Sequence, residues 1–131
     1  MTDNVELMRK WLEVFPEGEF EAFPGDVSAD FVFRLPFPPP GVPSEICGRE
    51  AVRDRLVSTS QGRSRLVISD IDIHQTDDPE LLIATAKGEA TMANGKLYRN
   101  SYVIFTRIRD GVVLEHTEYL NPLLVMEAAS G

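Results

Sequence analysis

Residues 109–122, RDGVVLEHTEYLNP, set a histidine and a glutamate two positions apart among apolar residues. Read as a strand with period two, the stretch lines up Val112, Leu114, His116, Glu118 and Leu120 on one face. The Cβ atoms of His116 and Glu118 then lie roughly 6.5–7 Å apart. A charge in such a stripe is costly to bury unless it is paired, neutralised or used. The chemistry this pair could do is general acid–base work. Burial favours a protonated Glu118 that can donate, whereas a protonated His116 beside it favours the carboxylate. These effects oppose each other, and His116 could equally take a proton itself or orient a ligand. Glu118 also has structural alternatives, a hydrogen bond or an ion pair with Arg34 or Arg55. In the opposite register Glu115, Thr117, Tyr119 and Asn121 would face inward, a mixed set better suited to a wet face.

The preceding strand puts Tyr98, Asn100 and Tyr102 on one face. Phenols and an amide there could donate to a carbonyl or enolate oxygen, or pack half-buried with wet hydroxyls. His74 ends a strand beside a turn and reads as surface. Cys47 precedes a helix, where a thiolate is favoured, but it has no evident base and reads as an inert thiol. The sequence holds no HExxH, paired-cysteine or aspartate-rich metal loop, no glycine-rich phosphate cradle and no GxSxG elbow. The chemistry expected is therefore free of metal and cofactor, on a small, partly apolar molecule.

Several elements must position these residues. Val5, Met8, Trp11, Leu12 and Phe15 fall at helical spacing, Asp3 with Glu6 makes a cap, and Pro16 stops the run. A short helical piece covers residues 17–23. DFVFRLPF, residues 30–37, reads as a strand with Phe31, Phe33, Leu35 and Phe37 on one face. The proline-rich residues 36–43 form a stiff loop, either a crossover or a pocket rim. CGREAVRDRLVS gives a further helix with Ala51, Val52 and Leu56 on one side. Four strands follow, over residues 65–75, 80–92, 96–108 and 112–122. In the first of them Val67, Ser69, Ile71 and Ile73 share a face. Hairpin signals stand at ANG (93–95) and RDG (109–111). The AASG tail looks too small and polar to carry a function. Helices first and a hairpin-linked sheet after them imply an α+β fold with helices on one face and a pocket between.

The chain has 131 residues, enough for one domain over residues 1–131 with a substantial core. A net charge of −8 argues against a nucleic-acid partner or an anionic membrane surface. One cysteine permits no intrachain disulfide, and the charged, amphipathic N-terminus and absence of a long apolar run fit a cytoplasmic protein.

The order of elements, the GREAVRDRL helix opening and the closing pair GKLYRNSYVIFTRIRDGVVLEHTEYLNP resemble the SnoaL-like branch of the NTF2-like superfamily. VELMRK, TDDPEL and DGVVLEHTEYLNP look most like the phenazine-biosynthesis A/B-type proteins. The resemblance implies an NTF2-like (cystatin-like) cone, with N-terminal helices packed on a strongly curved, mostly antiparallel sheet enclosing a pocket. It implies an isomerase, cyclase or lyase using no cofactor, a small-molecule ligand and a homodimer; a binding or dimerisation module of the same fold is the alternative. Glu118 matches the position of the acid in the phenazine-type proteins. Their pocket-facing histidine in the preceding helix is here Arg55, and Thr59 stands where they carry a small hydroxyl residue, so phenazine chemistry itself is not implied. Residues 34–37, RLPF, lack the aspartate base of ketosteroid isomerases. Glu118 and His116 are thus the expected catalytic pair, with Arg34, Arg55, Thr59, Tyr98 and Tyr102 expected to bind the substrate.

Overall fold

A computed structural model describes residues 3–130. Helix α1 (Asn4–Val14) starts where the Asp3 carboxylate accepts the Glu6 N–H at 2.8 Å, and it buries Leu7, Met8, Trp11 and Leu12. Pro16 opens a 3-10 turn (Phe15–Glu17), and a second follows (Phe20–Ala22), in place of the single helical piece expected there. Gly18 closes the first turn at φ 70°, and a Cβ on it would lie 3.0 Å from Val57 Cγ2. The remaining elements are β1 (Asp26–Arg34), β2 (Glu45–Cys47), α2 (Arg49–Ser60), β3 (Val67–Gln75), β4 (Leu81–Thr91), β5 (Leu97–Arg109), β6 (Val112–Tyr119) and α3 (Pro122–Ala129). The fold is α+β, and the described residues form three helices against an open six-stranded sheet of order β2-β1-β6-β5-β4-β3.

β3 to β6 are antiparallel neighbours, but β1 joins the sheet parallel to β6, and the sheet is therefore mixed. That parallel contact carries the N-terminal half of the chain onto the strand holding His116. Phe31, Phe33 and Leu35 point into the core as expected. Phe37 does not: Pro36 ends the strand, and Phe37 turns outward to lie 5.9 Å from the Tyr119 ring. Val52 and Leu56 form the buried side of α2, leaving Ala51 exposed.

Two bulges correct the simple alternation. On β6, Arg107 pairs with Glu115 and Ile108 with Val113, so Leu114 is an extra residue. Val113, His116, Glu118 and Leu120 face inward; Val112 and Leu114 are not on the His116 face. On β3 the register slips between Ser69 and Asp72, with Asp70 at φ 53°, so Ile68, Ile71 and Ile73 pack inward while Val67 and Ser69 face out. β2 and α3 were not foreseen. β2 is three residues long, too short for a period. α3 starts with Asn121 Oδ1 accepting the Leu123 N–H and Pro122 in the first turn, a cap that the sequence does display.

On the outer face, Arg34, Glu45, Glu115, Arg107, Asp78, Glu80 and Arg109 form a chain of ion pairs. The Arg34 guanidinium holds the Glu115 carboxyl below its usual range, Arg107 does so for Asp78, and Arg109 for Glu80. A carboxyl depressed in the folded state stabilises above its unfolded value and loses that contribution as pH falls through the folded one. The melting temperature should therefore hold near about pH 6 and drop below about pH 4. Glu115→Gln should cost under about 1 kcal/mol near neutrality, because solvent screens the pair, and should shrink the acid drop. Equal drops in both proteins, measured by thermal melts across pH, would assign the acid loss to other carboxylates.

Candidate functional site

A cavity of about 290 Å³ lies between the concave side of the sheet and the helices, near the lower end of small-molecule sites. Its wall is mostly apolar, including Phe15, Phe33, Leu56, Ile68, Ile104 and Leu120. Ala84, Ala86, Gly88 and Ala90 form the buried side of β4, behind the residues that line the cavity. The Tyr102 ring lies so close over Gly88 that a Cβ there would be 2.7 Å from it. Among the described residues the polar lining is Arg55, Thr59, Arg63, Tyr98, Tyr102, His116 and Glu118.

His116 and Glu118 meet as the strand period required, with Nε2 3.1 Å from Glu118 Oε1. His116 is fully buried, whereas the Glu118 side chain keeps 15% of its surface open toward the cavity. Trp11 Nε1–H donates to His116 Nδ1 at 3.0 Å, and Phe15 stacks on the imidazole with centroids 3.8 Å apart. The partner of Glu118 is thus His116 rather than Arg34 or Arg55.

Tyr98 and Tyr102 are buried and face each other, hydroxyl to hydroxyl at 2.7 Å, while Asn100 Nδ2 donates to the Tyr98 oxygen at 2.9 Å. Burial pushes both phenols upward, so each remains a donor at neutral pH. Only one of their two protons can serve the bond between them, which leaves the other for a ligand oxygen. Asn100 faces inward but is committed: its amide also donates to Asn121 O and accepts the N–H groups of Ser101 and Asn121. It therefore braces the turn into α3.

Arg55 and Thr59 lie on the cavity side of α2 but are exposed, at the mouth. Arg55 makes no ion pair or side-chain hydrogen bond among the described residues, whereas the Thr59 hydroxyl donates to Arg55 O. Arg34 is not part of the site. The pleat that points Phe33 and Leu35 inward sends Arg34 to the outer face, where it holds Glu45 and Glu115. Cys47 is exposed on β2, and the Glu45 carboxylate pushes its thiol up, away from a reactive thiolate. His74 is exposed beside Asp72.

Arg63 and α3 were missed from the sequence. Arg63 Nη1 pairs with both Glu17 oxygens, at 2.8 and 3.2 Å, and Nη2 donates to Pro16 O. Val125 and Ala129 of α3 close part of the wall. Among the described residues no three His, Cys, Asp or Glu side chains gather as a metal site, and no helix is long and apolar enough to cross a membrane.

The SnoaL-like domain family matches residues 8–116, so the chain belongs to that family. An uncharacterized PhzA/B-like protein of Pseudomonas aeruginosa is 30% identical over 126 residues, covering 94% of this chain and 79% of its own. The crystal structure of a Bacillus subtilis protein provisionally named an isomerase superposes with a TM-score of 0.82 at 26% identity, over 95% of this chain and 90% of its own. A phenazine biosynthesis-related protein of Pseudomonas aeruginosa shares the fold at a TM-score of 0.79 and 19% identity, over 95% and 83%. The chain thus has the α+β cone fold of the SnoaL-like family.

Proposed function

We propose that this chain is a cofactor-independent acid–base enzyme of isomerase, cyclase or lyase type, acting on a small, partly apolar carbonyl compound. The observation that carries this reading is Glu118, a carboxyl oriented by His116 at the wall of an apolar cavity. Glu118 takes a proton from the carbon next to the carbonyl and gives it back elsewhere on the substrate. The spare phenol proton of Tyr98 or Tyr102 holds the oxygen where negative charge develops. Arg55 and Thr59 meet polar substituents at the mouth. The isomerase name given to the Bacillus subtilis relative favours the same class of reaction.

The test is hydrogen–deuterium exchange, followed by proton NMR, on a panel of small cyclic ketones and lactones in deuterated buffer. Exchange next to the carbonyl above the buffer rate is the expected result. Ligands that raise the melting temperature without exchange on any member would make the protein a binding module instead.

We also infer a homodimer through the outer face of the sheet. Phe37, 63% exposed, lies with Tyr119, Phe105 and Val103 in an apolar patch there. Sedimentation velocity should give twice the monomer mass, 14.6 kDa, and Phe37→Glu should halve it. A monomer at micromolar concentration would defeat this.

A further inference from the structure

A histidine beside a carboxylate has two options, to shuttle a proton or to stand as an imidazolium; the neighbours of His116 remove both. An indole nitrogen only donates, so the Trp11 N–H aimed at Nδ1 at 3.0 Å requires a lone pair on that atom. The single ring proton of a neutral imidazole is then on Nε2, the atom 3.1 Å from Glu118 Oε1. A second proton could go only to Nδ1, and it would turn an accepting contact into two opposed N–H groups in a fully buried pocket. Nor can the ring swing away. Phe15 stacks on one face at 3.8 Å, Phe33 packs edge-on at 5.6 Å, and Trp11 is itself fully buried among Phe15, Phe20, Phe23 and Phe31.

We infer that Trp11 is a positioning residue, which fixes His116 as the neutral Nε2–H form and so makes Glu118 the only proton carrier of the pair. The inference deepens the acid–base reading and rests on it for its functional meaning. Among the described residues, the charged group that contacts the imidazole is Glu118, on its own strand. α1 offers Trp11, β1 offers Phe33 and β5 offers Thr106, the cross-strand partner. Tyr98 and Tyr102 of β5, Arg63 and Arg55 face the cavity on the Glu118 side. With the ring locked, His116 donates to Oε1 whether or not Glu118 is protonated, and Oε2 is the atom left to take and return the proton. The arrangement suits reactions in which one carboxyl removes and redelivers a proton on one substrate molecule. It does not suit those in which an imidazolium protonates a leaving group while a carboxylate acts as base.

The experiment is nitrogen-15 NMR of the histidine rings in the full chain, by long-range proton–nitrogen correlation across about pH 5–8. The chain has two histidines, and His74→Gln assigns His116. In the wild type, His116 should keep one proton, on Nε2, with Nδ1 an acceptor over the whole range. The Trp11 indole proton should exchange slowly with solvent. In Trp11→Phe, which keeps an aromatic ring in the cluster, His116 should gain a second proton within the same range. A doubly protonated His116 in the wild type, a proton resident on Nδ1, or an unchanged ring in Trp11→Phe would each overturn the inference. If Trp11→Phe does not fold, the wild-type tautomer and indole exchange decide. None of these signals depends on turnover, so failure of the ketone exchange assay leaves the lock standing, and the reverse also holds.

Discussion

Arg63→Ala should lower stability by about 3 kcal/mol, a fall in melting temperature of about 10 °C for a chain of this length. The side chains of Arg63 and Glu17 are only 8% and 11% exposed. Removing the guanidinium leaves a buried carboxylate without its counter-charge and Pro16 O without a donor. Glu17 cannot simply turn to water, since its Oε1 also accepts the Leu66 N–H at 2.8 Å. Arg63→Lys keeps the charge but cannot span Pro16 O and both carboxylate oxygens, and it should lose about half as much. The pair also ties the 3-10 turn that carries Phe15 to the chain leaving α2, so the loss reaches the ring stacked on His116. Thermal and urea unfolding of the variants measure this. A loss under about 1 kcal/mol in Arg63→Ala would mean that water screens the pair as at a surface.

What the sequence makes legible is what depends on neighbours in sequence. The pleat brings His116 and Glu118 together because two residues on one strand, past any bulge, share a face. It also puts Tyr98 and Tyr102, four residues apart on β5, on one face. The same pleat excludes Arg34, since a face occupied by Phe33 and Leu35 leaves the residue between them outside. Leu114 defeats the alternation because a bulge inserts one residue without any composition of its own. Trp11 reads from helical spacing as one more core side chain. That its N–H meets an imidazole 105 residues away follows only from the parallel docking of β1 on β6 and of α1 against the sheet. Arg63 and Glu17 are 46 residues apart, and each alone looks like a surface charge. α3 was legible in principle, since Asn121 followed by Pro122 is a helix start; the apolar run behind it reads equally well as the end of a strand.

Glu118→Gln should reduce ketone exchange by about 10²–10⁴-fold while leaving the fold and ligand affinity near wild type. The amide has nearly the shape of the carboxyl, and its oxygen can still accept the His116 Nε2–H, so the wall of the cavity keeps its form. What it lacks is basicity: an amide neither takes a proton from carbon nor returns one. Glu118→Asp should lie between, because the carboxylate survives but is withdrawn by one methylene, and misplacing a base by about 1 Å already costs heavily. Tyr98→Phe combined with Tyr102→Phe separates the two halves of the mechanism. The double change removes both phenol protons, so neither can take over from the other, leaves Glu118 and His116 untouched, and should slow exchange by stabilising the enolate less, without altering which proton is removed. If Glu118→Gln exchanged as fast as the wild type, the base would lie elsewhere on the cavity wall. Among the described residues His116 is the other cavity-facing base, and its Nε2 could act on carbon only once Nδ1 had lost the Trp11 bond and taken the ring proton. Rate constants for the three variants on one exchanging ketone, with ligand affinity measured alongside, separate loss of the base from loss of the oxyanion donor.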